Sequence, residues 1–374
     1  MNTRLCGRFV LALSLGFFWL EPFAFSASPN SASLKAKEAA KANGYIFETS
    51  HDDVVAKAKA EGKVRILTSQ DGAVLPYLVK LMKKNYPFLD VSAEEISGGD
   101  AGMRFWLEVQ AGAVKDWDVA NINAENYTSE YLSHGKKFDI LGMAQHAVVA
   151  IDPRMVDPTV RNAVSLTTTL HIVTYNKKLI SEDKVPNTWE DFLKPEFKGR
   201  KFTVDIRPQG MASMVPLMGE AWVTDYARKI AAQDPIWTRG ASRTLVSMAA
   251  GELSLDHMTY WHSCMRAAAK DPTGSLVCKI IEPGPVVLMN NETVLNSAQH
   301  SYAGLLWLET TASPEGQALI DKYVPVKSSM YAQGQTAKTL KGRKLSVCDY
   351  SHFNNLANWY KMVIAAYGFP KAER

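Results

Sequence analysis

Between residues 63 and 122 the hydrophobic pattern switches repeatedly between the strand period and the helix period, and this restricts the fold more than any other feature of the chain. Lys63-Val-Arg-Ile-Leu-Thr-Ser69 reads as a β-strand ending in small hydroxyl residues, and Leu75 to Lys84 has helical apolar spacing. Phe88 to Ile96 reads as a second strand running into Ser97-Gly98-Gly99-Asp100-Ala101-Gly102. Met103 to Ala111 is then a helical stretch leading to the strand Trp117-Asp-Val-Ala-Asn-Ile122. Strands alternating with helices form an α/β lobe with a largely parallel sheet, because parallel neighbours need a crossover between them.

A second such lobe is expected after the extended apolar segment Leu170-His-Ile-Val-Thr-Tyr-Asn176. Pro186-Asn-Thr-Trp-Glu-Asp191 opens a helix, with Thr188 as cap and Asp191 at the reciprocal capping-box position. A strand Lys201-Phe-Thr-Val-Asp205 follows, then a helix from Arg243 to a stop at Gly251 and a strand from Leu253 to Tyr260. Ser313-Pro314-Glu315 looks like an N-cap with proline at the first helical position, and Phe353 to Tyr367 is a last helix. No repeats, heptads or low-complexity tracts are found beyond an Ala/Lys-rich leader.

The N-terminus reads as an export signal. Arg4 and Arg8 precede an apolar run from Phe9 to Leu20, and Ala24-Phe25-Ser26-Ala27-Ser28 supplies an A-x-S cleavage site, so residues 1–26 form the signal peptide, cut after Ser26. The run is too short for a comfortable bilayer span, and nothing else reaches that length. Cys6 stands before the apolar run, which excludes it as a lipid-anchor cysteine. Residues 27–59 are a leader and N-terminal helix, with 27–42 read as a small, polar, mobile stretch. About 350 residues then remain, more than one core usually supports, so two lobes are the default.

The whole chain has 42 basic and 38 acidic side chains, a surplus too weak and too scattered for nucleic-acid binding or membrane-surface adhesion. Three cysteines remain after the signal, and in an oxidising compartment Cys264 and Cys278 are placed to close a short loop, with buried free thiols as the other reading. Cys348 is left either to long-range pairing or to burial.

Several stretches, in order, resemble the extracellular solute-binding family of ABC importers, in the branch containing ferric-iron, spermidine, thiamine and phosphonate receptors. Tyr175-Asn176 with Pro186-Asn-Thr-Trp-Glu-Asp-Phe-Leu-Lys-Pro195 and Phe197-Lys-Gly-Arg-Lys201 carries the most specific likeness; Ser313-Pro-Glu-Gly-Gln317 and Ala111-Gly112 with Asp116-Trp-Asp-Val119 add to it. The resemblance implies a type II periplasmic binding protein fold, two α/β lobes with a central ligand cleft. Crossings fall near 165–176 and 280–290, which makes lobe one discontinuous, 60–168 plus 284–374, and lobe two 169–283. The last helix is expected to pack back on lobe one.

Ligands of open α/β sheets collect at the carboxyl ends of strands. In lobe one this selects Ser69, whose hydroxyl both donates and accepts, and Ser97, Gly98 and Gly99, whose amides open a helix towards an anion. Asn123, Asn126 and Tyr127 follow the third strand. Thr167 and Thr168 lie at the crossover, where alternation along a strand turns at most two of Thr167, Thr168 and Thr169 to the cleft. From lobe two, Arg207 is the candidate clamp on a carboxylate or phosphate, with a salt bridge to Asp205 as its competing role. Tyr260, Trp261 and His262 offer an aromatic wall with a polar tip.

Iron-binding members of the resembled family present two adjacent tyrosines in lobe two. Here Tyr260 is followed by Trp261, so no metal is expected, and if one binds, Tyr260 is its ligand. No nucleophile elbow, H-E-x-x-H or Cys/His spacing supports an enzyme, and His51, His134, His146, His171, His257 and His300 are scattered. The expectation is therefore a periplasmic, monomeric receptor for a small organic anion (phosphonate, sugar phosphate or carboxylate) with no cofactor, serving an inner-membrane ABC permease. A ferric-iron receptor is the alternative, an exported hydrolase a remoter one, and a sensor protein is a second partner that sequence leaves open.

Overall fold

A computed structural model of the chain describes residues 31–96 and 99–369; the expected signal peptide, Ser97 and Gly98 lie outside the described residues. The strands are β1 (Lys63–Thr68), β2 (Asp90–Glu95), β3 (Val119–Ile122), β4 (Ala163–Asn176), β5 (Thr203–Asp205), β6 (Ile236–Thr238), β7 (Leu255–Tyr260), β8 (Leu276–Lys279), β9 (Gly284–Val294) and β10 (Leu345–Cys348). Their order is β2-β1-β3-β9-β4-β7-β5-β6, with β10 beside β9 and β8 beside β4. β1 pairs parallel with both β2 and β3, as strand–helix–strand units require, and β5 pairs parallel with β6 and β7.

Two long strands join these halves. The first part of β4, Ala163 to Leu170, pairs antiparallel with β9, and its continuation pairs with β7 and β8. β9 in turn reaches β3 through Val294 to Asn291 and β10 through Gly284 to Val287. All fourteen residues of β4 are buried, which explains why it reads as a nearly continuous β-branched and apolar run rather than an alternating one. The two long strands thus cover 163–176 and 284–294.

Three local expectations change. Residues 31–42, read as a mobile leader, form a helix whose Ala40 joins the lobe-one core; Ser50 caps the next helix, His51–Glu61, which ends at left-handed Gly62. The box at Thr188 and Asp191 forms, with Asp191 N–H on Thr188 Oγ1 (3.2 Å) and Thr188 N–H on Asp191 Oδ2 (2.9 Å), but it closes a 3₁₀ turn, Glu190–Leu193, and no α-helix comes between it and β5. The last helix, Tyr350–Tyr367, does not settle on lobe one alone. Trp359 donates to Glu220 Oε1 (2.8 Å) on the lobe-two helix Glu220–Ala232, while Phe353 packs edge-on to Tyr127 of lobe one, so the helix spans both. One buried apolar cluster consequently runs through both lobes along this helix, and a second fills the far side of lobe one around the fully buried Trp307.

Candidate functional site

Where β1, β2 and β3 end, the chain turns towards β7 across the two crossing strands, and a cavity of about 340 Å³ opens there. Lobe one contributes Ser69, Gln70 and Asp71 after β1, Glu95 and Ile96 at the end of β2, and Asn123 after β3. Gln209, Tyr260 and His262 face them from lobe two; Met289 and Asn290 come from β9, and Lys327 from a loop beyond the helix Pro314–Tyr323. The volume suits a ligand of a few to a dozen or so heavy atoms enclosed by both lobes.

The lobe-one side is held by a short chain of hydrogen bonds. Ser69 Oγ donates to Asn121 Oδ1 (2.8 Å), whose Nδ2 donates to Asn123 Oδ1 (3.0 Å). Glu95 Oε2 accepts from Gly72 N–H (2.9 Å), which ties the end of β2 to the loop after β1. Beneath them, Thr68 and Trp307 both donate to Glu292, and burial raises the Glu292 carboxyl to about 7. On the lobe-two side Tyr260 Oη donates to Gln209 Oε1 (2.7 Å) and its ring stacks near His262. Burial pushes the His262 imidazole well below its usual value, so it is neutral at pH 7.

Hydrogen-bond accounting gives the cavity a bias. Asp71 accepts from Ala73 N–H (3.0 Å) and from Arg266 Nη1 (2.7 Å), so its carboxylate is spoken for. By contrast Gln70 Nε2 and His262 Nδ1 are buried with no hydrogen-bond partner. Lys327 Nζ donates to Thr169 Oγ1, which leaves an ammonium two further N–H donors. Buried donors without acceptors are costly, and a ligand rich in oxygen acceptors removes that cost.

Of the residues singled out from sequence, Ser69, Asn123, Tyr260 and His262 line this cavity. Gly99 begins the helix Gly99–Gln110. Thr167 and Thr168 do not reach the cavity. They are buried in β4, Thr167 Oγ1 donating to Asn290 Oδ1 (3.0 Å) and Thr168 Oγ1 accepting from Met330 N–H (2.8 Å). Arg207 lines a separate, water-sized space of about 20 Å³ beside His171, and its fork grips Asp205, Nη2 to Oδ2 at 2.6 Å and Nε to Oδ1 at 3.1 Å. Trp261 packs with Leu170, Cys264 and Val286 in a small core cluster. Asn126 and Tyr127 are buried, Tyr127 Oη donating to Asp157 Oδ2 (2.7 Å). Cys264 and Cys278 form the disulfide, with their Cα atoms 6.0 Å apart, and Cys348 is a buried free thiol.

Gln70, Asp71, Glu95, Gln209, Asn290 and Lys327 were not foreseen. The first two adjoin Ser69 and the third ends β2, so the same strand-end rule reaches them. Lys327 is brought in by tertiary packing alone, with only a polar Lys327-Ser328-Ser329 step between apolar neighbours to mark it. Among the described residues no group of three or more His, Cys, Asp or Glu side chains is placed to hold a metal ion, and no helix is long and apolar enough to cross a membrane.

The fold has many solved counterparts. Iron-bound HitA from Pseudomonas aeruginosa superposes with a TM-score of 0.60 at 13% identity, over 82% of this chain and 99% of that one. Trichodesmium IdiA (FutA) in complex with iron and citrate gives 0.58 at 16% identity, over 82% and 98%. An ABC transporter substrate-binding protein from Bradyrhizobium japonicum gives 0.62 at 15%, again over 82% and 98%. At such identities the likeness establishes the fold, the two-lobed type II periplasmic binding fold. No curated protein matches the sequence. The family model described as bacterial extracellular solute-binding protein matches residues 142–356, over half of the chain, and runs from before β4 into the first turns of the last helix. Its members are binding proteins and not enzymes, and the chain belongs to this family of bacterial extracellular solute-binding proteins.

Proposed function

We propose that the chain is the periplasmic substrate-binding component of an ABC importer, capturing a small organic anion between its lobes and delivering it to an inner-membrane permease. Export behind a signal peptide cleaved after Ser26 and action as a monomer belong to the same reading. The observation that carries it is the donor surplus of the interlobe cavity: buried Gln70 Nε2 without a partner beside the Lys327 amine, with unpartnered Nδ1 of neutral His262 able to donate in one of its two tautomers. A phosphonate, sugar phosphate or carboxylate supplies the missing acceptors. Ser69 at the end of β1 offers a further donor once Asn121 is displaced.

A second reading has its own support. Tyr260, Asp71 and Glu95 put hard oxygen donors around the same cavity, and the iron-bound HitA and the FutA complex with iron and citrate share the fold. Ferric iron would need Tyr260 to release Gln209 and Asp71 to release Arg266.

Thermal melting against a panel of phosphonates, sugar phosphates and carboxylates, with ferric citrate alongside, separates the two. An anion that binds stabilises the protein by about 2.7 kcal/mol at one hundred times its Kd, and Gln70→Ala weakens that gain. Stabilisation by ferric citrate alone, with a visible absorption band that Tyr260→Phe removes, would replace the anion by iron.

A further inference from the structure

Lys327 stands at the hinge on an unusual support. The preceding Val326 has φ 54°, the left-handed region, where a β-branched residue is a steric outlier, and it is buried. What holds the turn is Asp321, whose Oδ1 accepts from the N–H groups of Lys327 (3.2 Å) and Ser328 (3.0 Å) and whose Oδ2 accepts from Ser328 Oγ (2.7 Å). The loop is also stitched to the crossing strand: Thr168 N–H donates to Lys327 O (3.1 Å), and the Lys327 amine donates to Thr169 Oγ1. Opposite, Asn290 of β9 also has a positive φ, 51°, and lines the cavity with Lys327. A strained backbone so thoroughly tied down presents its next side chain with little freedom.

We propose that Lys327 determines that the cleft takes an anion, and that seating the anion draws a proton from solvent onto the neutral fraction of its amine. The inference deepens the anion reading above and rests on it. The groups around the amine are Asp71 and Glu95 from the strand ends of lobe one, Asp321 below the loop, His171 of β4, and His262 and Arg266 on the helix Trp261–Lys270. Burial lowers the Lys327 amine to about 7, Asp71 pulling it back up and Arg266 pushing it further down. Near neutrality the empty site therefore holds a partly neutral amine, and the negative charge of a ligand favours the ammonium. Lysine suits this role better than arginine, whose guanidinium does not release a proton in this range. Binding at pH 7 takes up about half a proton, and affinity falls by up to tenfold per pH unit above that.

The test follows the lysine amines of the full-length mature protein by NMR from pH 5.5 to 10, with and without saturating sulfate and succinate, both fully ionised near neutrality. Lys327→Met assigns the signal by its loss, and Lys327→Arg tests whether a permanent cation keeps binding and removes its pH dependence. A Lys327 amine titrating near 7 and moving upward by a unit or more with either anion is the expected result. An amine at the ordinary lysine value overturns the proposal outright. If the anions bind and Gln70→Ala weakens them, but the Lys327 signal does not move, the proposal fails while the anion reading stands. If neither anion nor any organic anion of the panel binds, both fail together.

Discussion

Glu292 is the residue whose surroundings are most at odds with its ordinary chemistry. It is buried on β9 beneath Ser69, accepting from Thr68 and Trp307, with no cation among its partners. A carboxyl raised from 4.5 to about 7 keeps its proton longer in the folded chain than in the unfolded one. Its contribution is therefore intact below pH 4.5 and is lost as pH rises through 7. Glu292→Gln keeps an acceptor for Trp307 and a polar partner for Thr68, and it cannot ionise. Denaturant unfolding at pH 5 and pH 8 is expected to show near equality at pH 5 and a variant more stable by about 2 kcal/mol at pH 8. A difference independent of pH would mean that Glu292 is not the titrating group. Residues of this kind mark the limit of what sequence discloses. Ser69 was legible because a hydroxyl after an apolar strand has one natural place, the strand end. Thr167 and Thr168 looked equally available, but a strand buried on both faces must satisfy its hydroxyls internally, and they went to Asn290 and Met330. Arg207 was misplaced for a comparable reason: Asp205, two residues away, satisfies its fork locally.

At the scale of elements, the helix Trp261–Lys270 matters most, because it carries His262 into the cavity and Arg266 to the lobe boundary. Its anchor is the disulfide to β8, closing a loop with a sequence separation of 14. Replacing both cysteines by alanine is expected to cost about 3 kcal/mol in urea unfolding, on the loop-entropy estimate. It should also weaken anion binding, since the helix then holds its two ligand-side residues less firmly. Full affinity in the doubly substituted protein would show that β4 and β7 alone set the helix in place. Strands β1 to β3, β5 and β7 were readable from their periods, the crossings came from the family resemblance, and the short strands β6, β8 and β10 carried too few residues to show a period. What sequence overstated was helix after Pro186. The reciprocal bonds of Thr188 and Asp191 form as the residues require, but Pro195 stands four residues beyond them and restricts Lys194 to extended backbone (φ −66°, ψ 150°), so only a 3₁₀ turn fits. The last helix was legible as a helix and not in its packing, since its apolar positions do not say which lobe they meet.

For the whole molecule the decisive contact is the one that crosses the cleft without a ligand. Asp71, after β1 of lobe one, accepts from Arg266 Nη1 of lobe two at 2.7 Å, and both side chains keep about a third of their surface in water. Exposed pairs of this kind are worth up to about 1 kcal/mol, enough to change a ratio of closed to open forms about fivefold and too little to lock it. The pair therefore biases closure and leaves the ligand to complete it. Arg266→Ala should enlarge the radius of gyration of the empty protein in small-angle scattering, and raised salt should do the same to the unsubstituted chain. Arg266 also depresses the Lys327 amine, so its removal takes a guanidinium charge from the lobe boundary while it returns part of a charge to Lys327, and it hinders closure. The two effects separate by pH. At pH 6 the Lys327 amine is already mostly protonated, and Arg266→Ala should weaken anion binding by about fivefold through lost closure together with the lost guanidinium charge. At pH 8.5 the gain in Lys327 charge offsets part of that loss, so the variant should approach the parent protein. Equal weakening at both pH values would leave Asp71 and Arg266 as the latch and would remove Lys327 from the coupling. Unchanged scattering with unchanged affinity would remove the latch.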